Sequence, residues 1–290
     1  MVDRPHTRQS LHRQGCALSA VRMGTPGGVP LIALHGFTGE GLDYALLNDG
    51  LGDALDLLAP DLVGHGCSEA PLPLERYRIT SCAADVWGWT QTMVRSQHTT
   101  GTKPVLLGYS MGGRTALTTA VAHPEAWSAL ILVGATAGIR EPSAQQARQA
   151  TDRKRAEQLR TEGLEAFLER WRRVPIIATQ ERIPEPWQSA IRTRRLKVNT
   201  AEGLARSLEG MGTGTMPPLW EQLGVLKCPV LLTVGAEDTK FRRIAEAMQP
   251  LLGGYTERVS IAGAGHAAHL EAPQAFHAQL RRFLEKIAVL

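Results

Sequence analysis

One short segment, residues 108–113, limits the folds open to this chain more than any other. It reads Gly-Tyr-Ser-Met-Gly-Gly and follows directly on the apolar run at residues 104–107. A serine with glycines two residues before and after it, at the end of a buried strand, is typical of a tight strand-to-helix turn that exposes the serine hydroxyl. The glycines are needed because strand and helix come so close that a Cβ atom would collide. The segment therefore predicts that Ser110 carries the chemistry.

Short apolar runs recur along the chain with helix-forming stretches between them. Because these runs are continuous rather than alternating, each strand is expected to be covered on both faces, as in a parallel sheet. The alternation predicts an α/β, doubly wound fold. Residues 17–23 are expected to form an antiparallel hairpin with the first run through a turn at residues 25–28. The runs are residues 31–34, 56–59, 105–107, 129–133, 230–234 and 258–261.

The alternation of strands and helices stops after residue 134 and resumes near residue 228. Between these points, two stretches are rich in residues that favour helix, and five prolines follow them. The helical stretches are residues 145–160 and 164–173. We therefore expect residues 136–215 to form a helical cap inserted into a core made of residues 1–135 and 216–290.

The net charge of +4 is modest, but its distribution is uneven. Residues 136–215 hold 15 Lys and Arg against 10 Asp and Glu, whereas the rest of the chain holds 17 against 18. The basic residues are interleaved with acids and form no nucleic-acid-binding motif, so we expect no nucleic-acid partner. The excess favours a pocket for a small polycarboxylate, or else a solvated helical surface.

Other classes of protein are disfavoured by composition. The four cysteines form no C-x-x-C pair, so neither a disulfide framework nor a zinc site is predicted, and a reducing cytoplasm is the expected compartment. The N-terminal residues are polar and basic, and no apolar stretch approaches eighteen residues, which predicts neither secretion nor membrane insertion. We expect no cofactor and no metal, and a monomer or small homo-oligomer.

A serine hydroxyl is a weak base and nucleophile at neutral pH. It needs a histidine to accept its proton and a carboxylate to orient the imidazole. On a fold with this serine turn, these partners follow in the order acid, then histidine. Asp238, where an apolar strand ends in a polar turn, is preferred to Glu237 as the acid. His266, flanked by small residues, is preferred to His269.

These motifs together resemble the α/β-hydrolase superfamily over almost the full length of the chain. The His-Gly-Phe at residues 35–37 is similar to that family's oxyanion-loop motif, and residues 61–68 are similar to its turn after the next strand. The resemblance implies an α/β-hydrolase fold, with an oxyanion hole formed by the backbone N–H groups of Phe37 and Met111. The fold alone leaves the reaction open, because it hosts esterases, C–C hydrolases and lyases.

The position of Arg114 helps to choose between these reactions. It lies four residues after Ser110, one turn into the following helix and on the side of the serine. A cation near a helix N-terminus opposes the helix dipole by up to about 1 kcal/mol. Its position therefore calls for an anionic partner, either an acidic substrate or an internal salt bridge.

The string at residues 108–114 more narrowly resembles the 2-succinyl-6-hydroxy-2,4-cyclohexadiene-1-carboxylate synthases, which are lyases of menaquinone and phylloquinone synthesis. Further similar stretches are residues 148–153, 167–171, 195–199, 204–214 and 265–271. This chain departs from the family after the tryptophan of the second stretch, where Arg-Arg-Val replaces an aromatic residue and a glutamine pair.

By this resemblance, the substrate-binding residues are Tyr109, Arg114, Arg148, Trp171 and Arg195, with Arg192 and Arg194 left open as alternatives to Arg195. The arginines would bind the three carboxylates of the substrate. Ser110 would abstract a proton, pass its own to His266, which Asp238 orients, and pyruvate would be eliminated. The alternatives are a serine hydrolase that forms an acyl-enzyme on an acidic substrate, and a binding protein without catalysis.

Overall fold

The computed structural model describes residues 6–99 and 101–290, which form one mixed sheet with helices on both faces. The strands are β1 (Thr7–Arg13), β2 (Cys16–Gly24), β3 (Val29–Leu34), β4 (Leu55–Pro60), β5 (Val105–Tyr109), β6 (Ala129–Val133), β7 (Val230–Gly235) and β8 (Thr256–Ile261). The helices are α1 (Ala45–Leu51), α2 (Ile79–Gln97), α3 (Met111–Ala122), α4 (Pro142–Trp171), α5 (Pro175–Ala178), α6 (Glu185–Val198), α7 (Ala201–Met211), α8 (Thr239–Met248), α9 (Ala268–Glu271) and α10 (Pro273–Lys286).

The sheet confirms the predicted α/β architecture. Its strand order is β1-β2-β4-β3-β5-β6-β7-β8, and the strands from β4 to β8 in this order are parallel. Side chains alternate between two buried clusters, one shared with α2, α3 and α8 and the other with α1 and α10. Because both faces are covered, the inner parallel strands β3, β5 and β6 are apolar along their length, whereas the edge strand β8 is mostly polar and partly exposed. Each of the six predicted apolar runs lies within one of these strands.

The antiparallel start of the sheet is present, but the predicted hairpin partner is wrong. The turn forms as expected, with the Gly28 N–H donating to the Thr25 carbonyl at 2.9 Å. However, β2 pairs with β1 and β4 and not with β3, which lies beyond β4. Strand β1 was not predicted, because it is polar and half-exposed and so has no apolar run. It forms a hairpin with β2 through Gln14 and Gly15, both at positive φ (49° and 71°).

Helices α4 to α7 occupy the chain between β6 and β7. The two predicted helical stretches are the two halves of α4, which is interrupted at Gly163, where φ is 83° and ψ is 168°. A separate apolar cluster joins α4 to α7 through side chains such as Leu159, Phe167 and Leu208. The assignment of residues 136–215 as a cap on an otherwise continuous core stays a prediction.

Candidate active site

The serine turn joins β5 to α3. Ser110 has φ 51° and ψ −106°, a strained conformation that a serine adopts only where its surroundings hold it. A Cβ on Gly108 would come within 2.4 Å of the Gly112 carbonyl oxygen, and one on Gly112 within 2.2 Å of the Leu34 carbonyl oxygen. The flanking glycines are therefore required by the close approach of strand and helix, as the sequence predicts.

The structure brings the three predicted catalytic side chains into one hydrogen-bonded array. Ser110 Oγ lies 2.9 Å from His266 Nε2, and His266 Nδ1 lies 2.7 Å from Asp238 Oδ2. The other carboxylate oxygen of Asp238 accepts the Phe241 N–H at 3.1 Å, which fixes the carboxylate at the start of α8. These distances suit proton transfer from serine to an imidazole held in one tautomer.

The two rival residues lie elsewhere. Glu237 is exposed and pairs with Arg182 at 2.5 Å, and this hydrogen bond lowers its pKa. His269 is buried, with its ring packed against those of Tyr44 and Tyr109. Burial lowers the pKa of His269 to about 3, so its imidazole is neutral at physiological pH. Its surroundings are those of a core histidine.

This burial predicts a pH dependence of stability. The folded chain keeps His269 neutral down to about pH 3, whereas an unfolded chain protonates it near pH 6.5. The unfolded state therefore binds more protons as pH falls below 6.5, and the free energy of unfolding falls by up to about 1.4 kcal/mol per pH unit. The contribution is fully present above pH 6.5 and is lost progressively toward pH 3.

Urea unfolding at pH 7.0 and pH 4.5 measures this effect. We expect His269→Leu to reduce the loss of stability between these two pH values by about 3 kcal/mol relative to the parent protein. His12→Gln, at an exposed imidazole, is the control and should leave the loss unchanged. Equal losses in the His269 variant and the parent would contradict the prediction.

The array opens into a cavity of about 460 Å³. Its polar and charged lining includes Ser110, His266, Arg114, Arg148, Arg155 and Lys240, and its apolar lining includes Phe37, Met111, Trp171, Ile176, Leu208 and Phe241. No aspartate or glutamate lines it among the residues that the structure describes. The cavity is therefore suited to an anionic molecule with an apolar body.

Phe37 and Met111 lie on opposite sides of the serine in sequence and both reach this cavity. Phe37 follows β3, and Met111 is the first residue of α3. The Phe37 ring contacts Trp171 edge-on at a centroid distance of 5.3 Å. Both residues line the cavity together with Ser110, and their role as backbone donors of an oxyanion hole stays a prediction.

Arg114 is a buried cation without a carboxylate partner. It is 6% exposed, and its Nη1 donates to the Met211 carbonyl oxygen at 2.6 Å. Within the described part of the chain it forms no ion pair, so the internal salt bridge considered above does not form there. Burial first, and then the charge of Arg148, lowers the pKa of Arg114 to about 10. An anion in the cavity would relieve this unfavourable environment.

Comparisons with known proteins agree with this geometry. Residues 29–273 match the family described as the alpha/beta hydrolase fold. A Bacillus subtilis protein provisionally named 2-succinyl-6-hydroxy-2,4-cyclohexadiene-1-carboxylate synthase is 37% identical, covering 89% of this chain and 90% of that protein. The synthase of the same name from Salmonella paratyphi C is 31% identical, covering 86% and 91%. The chain belongs to this synthase family of the alpha/beta hydrolase fold.

A solved structure extends the likeness. MenH from S. aureus superposes with a TM-score of 0.83 at 28% identity, and the match covers 98% of each chain. The predicted fold and family are therefore confirmed.

Two of the three arginines that the synthase resemblance assigns to substrate lie on the cavity wall. Arg148 joins Arg114 there, and its Nε donates to the buried Asp152 Oδ2 at 2.8 Å. Trp171 also lines the cavity and stacks on Phe167 with ring centroids 5.8 Å apart, so it both packs the helix and faces the cavity.

Arg195 and Tyr109 do not line this cavity, contrary to expectation. Arg195 pairs with Asp43 at 3.2 Å and lines a second cavity of about 170 Å³. Arg194 pairs with Glu40, and Arg192 pairs with Glu169. Side chains alternate along β5, and the Tyr109 side chain lies on the sheet face that is covered by α1 and α10. Its ring packs on His266 and His269.

Arg155 and Lys240, which were not predicted as site residues, also line the main cavity. Arg155 lies seven residues after Arg148 on α4, two helical turns along the same face, and this spacing could have identified it. Its Nη1 shares Asp152 with Arg148, at 3.4 Å, and its guanidinium lies 5.2 Å from the Trp171 ring centre. Other arginines of this segment, such as Arg160, form ion pairs on the surface.

The structure shows neither a membrane-spanning helix nor a metal-binding group within residues 6–99 and 101–290. No helix there is long and apolar enough to cross a bilayer. No group of three or more His, Cys, Asp or Glu side chains there could hold a metal ion.

Proposed function

We propose that this chain is a carbon–oxygen lyase, a 2-succinyl-6-hydroxy-2,4-cyclohexadiene-1-carboxylate synthase of menaquinone or phylloquinone biosynthesis. It eliminates pyruvate from 2-succinyl-5-enolpyruvyl-6-hydroxy-3-cyclohexene-1-carboxylate. The observation that carries this assignment is a hydrogen-bonded Ser-His-Asp array that faces a cavity with cations on its wall. A substrate with three carboxylates needs such a wall, because a charge taken out of water must find a partner.

We assign the first step to the ring carbon that bears the succinyl group. As the Ser110 hydroxyl gives its proton to His266 Nε2, its oxygen takes the proton of this carbon, and the electron pair enters the adjacent ketone as an enolate. The enolate electron pair then forms a ring double bond to the succinyl-bearing carbon and restores the ketone, the existing ring double bond moves by one position, and the carbon–oxygen bond to the enolpyruvyl group breaks with its electrons on oxygen. Pyruvate leaves as its enolate, and its methylene carbon takes the proton from the His266 imidazolium, which gives pyruvate and restores the neutral imidazole. No bond forms between Ser110 and the substrate.

The proposed roles of the neighbouring groups follow from charge. Asp238 holds the imidazole with Nδ1 protonated and stabilises the imidazolium that forms at His266. The backbone N–H groups of Phe37 and Met111 would donate to the enolate oxygen, as they would to the oxyanion of an acyl-transfer reaction. The apparatus of a serine hydrolase can therefore serve an elimination.

The carboxylates of the substrate are assigned to the arginines of the cavity. A guanidinium presents its donors in a planar fork that matches a carboxylate, and it keeps its charge when buried more readily than an ammonium does. We propose Arg114, Arg148 and Arg155 as the three partners, because all three line the cavity with Ser110. Arg155 thereby takes the place that the sequence analysis gave to Arg195.

The proposed reaction is tested by pyruvate release. The enolpyruvyl substrate is generated in situ by the preceding enzyme of the pathway, and pyruvate is measured through lactate dehydrogenase. We expect release in proportion to the amount of protein added, with heat-denatured protein as the background. Release no faster than background, or faster turnover of nitrophenyl esters by the same preparation, would overturn the lyase assignment in favour of a serine hydrolase.

We further propose that residues 136–215 form a cap on the core, that the protein is cytoplasmic and binds no nucleic acid, and that it is a monomer or a small homo-oligomer.

A further inference from the structure

The residue that follows α6, Asn199, connects three separate segments of the chain. Its Nδ2 donates to the carbonyl oxygens of Thr38 and Arg195, each at 3.1 Å, and its Oδ1 accepts the Gly66 N–H at 3.1 Å. The side chain is nearly fully buried, at 6% exposure. Carbonyl partners on one side and an N–H partner on the other fix the orientation of the amide. Neither aspartate nor leucine could make this set of contacts.

Thr38, one of these partners, has an unusual backbone. Its φ is 69°, in the left-handed region, and it is fully buried. A residue with a Cβ atom is destabilised there, and the conformation persists only where the surroundings hold it. Thr38 directly follows Phe37, whose N–H is the proposed oxyanion donor. Relaxation of Thr38 to negative φ would therefore displace Phe37 relative to Met111.

Two arginines at the end of α6 also contact the same loop. Arg194 Nε donates to Glu40 Oε1 at 2.7 Å, and Arg195 Nη2 donates to Asp43 Oδ2 at 3.2 Å. Both carboxylates are buried. The loop after β3 is thus bound by three side chains from the end of α6 and the residue that follows it, more than 140 residues later in the sequence.

We propose that Asn199 is a positioning residue for catalysis, which holds Thr38 in its left-handed conformation and thereby keeps the Phe37 N–H aimed at the substrate oxygen. The inference rests on the proposed function, because the Phe37 N–H matters only where negative charge develops on an oxygen. An oxyanion donor acts in the transition state more than in the substrate complex. Loss of Asn199 should accordingly lower kcat and leave KM nearly unchanged.

The test compares kcat and KM of the variants in the pyruvate assay. Each variant is measured at a temperature that lies 20 °C below its own melting temperature. Asn199→Ala should lower kcat by about 10- to 100-fold and change KM by less than about threefold. This decrease in kcat is at most as large as the decrease caused by removing an oxyanion donor itself. Asn199→Asp keeps the acceptor for Gly66 and loses the donor to Thr38, so it should lose kcat to a similar extent. If Asn199→Ala does not fold, the kcat of Asn199→Asp tests the proposal in its place.

A second substitution separates positioning from general stability. Glycine adopts positive φ without the cost that a Cβ imposes, so Thr38→Gly in the Asn199→Ala background should recover kcat by about fivefold. The control is Arg160→Ala, which removes surface ion pairs between α4 and α7 and should leave kcat unchanged.

The outcomes are distinguishable from failure of the proposed function. If the parent protein releases no pyruvate, the lyase assignment fails. If the parent protein is active and Asn199→Ala keeps the parent kcat, or if the double variant recovers nothing, Asn199 is a structural residue only and the inference is overturned.

Discussion

Replacement of Ser110 by alanine is expected to lower kcat for pyruvate release by about 10³-fold, with little change in KM. The hydroxyl oxygen is the proposed base, and its removal leaves His266 Nε2 without the atom that it contacts at 2.9 Å. Loss of a positioned base typically costs between about 10² and 10⁴ in rate. KM should stay close to that of the parent protein, because the substrate carboxylates keep their arginine partners. The measurement is steady-state pyruvate release.

Ser81→Ala is the matched control, because that hydroxyl donates to the Glu75 carbonyl oxygen outside the cavity lining. It should keep the parent kcat. Intact-mass spectrometry of the parent protein during turnover adds a second readout, and we expect the unmodified mass. An acyl adduct on Ser110, or a Ser110→Ala variant with more than a tenth of the parent kcat, would exclude Ser110 as the base of an elimination.

Replacement of Arg114 by methionine should separate activity from stability. We expect kcat/KM to fall by about 30- to 800-fold, which corresponds to roughly 2 to 4 kcal/mol for a buried charge-assisted contact. The melting temperature of the free protein should rise or stay the same, because Arg114 is a buried cation that forms no direct ion pair with a described carboxylate. Methionine fills much of the same volume without a charge.

Two other arginines supply the comparison. Arg148→Met should also lower kcat/KM, but it should destabilise the protein, because the buried Asp152 would lose the nearer of its two arginine partners, at 2.8 Å. Arg160→Met, on the surface, should leave kcat/KM unchanged. If Arg114→Met keeps the parent kcat/KM, the basic wall of the cavity does not bind substrate, and an unchanged kcat/KM with a lower melting temperature would assign Arg114 a purely structural role.

Much of the site could be predicted because its determinants are local in sequence. The serine turn needs glycines at fixed offsets from Ser110. Asp238 and His266 each follow a stretch that the sequence predicts as a strand, residues 230–234 and 258–261. Parallel strands place their carboxyl ends at one edge of the sheet, so residues that follow different strands meet there. The distances of 2.9 Å and 2.7 Å in the array agree with this expectation.

The arginines were harder to assign, because their roles depend on which helix face meets the sheet. Arg148 and Arg155 reach the cavity from one face of α4, whereas Arg195 turns to Asp43. All three lie in basic, helical stretches, and composition does not distinguish a residue that faces a cavity from one that pairs with a buried acid. The partner of Arg195 lies about 150 residues earlier in the chain.

The sequence by itself determined the six parallel strands and the helices between them, the tight turn at Ser110 and the identity of its two hydrogen-bonded partners. Each of these depends on spacing along the chain, through strand periodicity or the close approach of backbone at a glycine. The tertiary structure decided that β2 pairs with β4, that Arg155 faces the cavity, and that Asn199 reaches Thr38. These contacts join residues far apart in the chain, and only the packing of whole elements, which no local pattern specifies, brings them together.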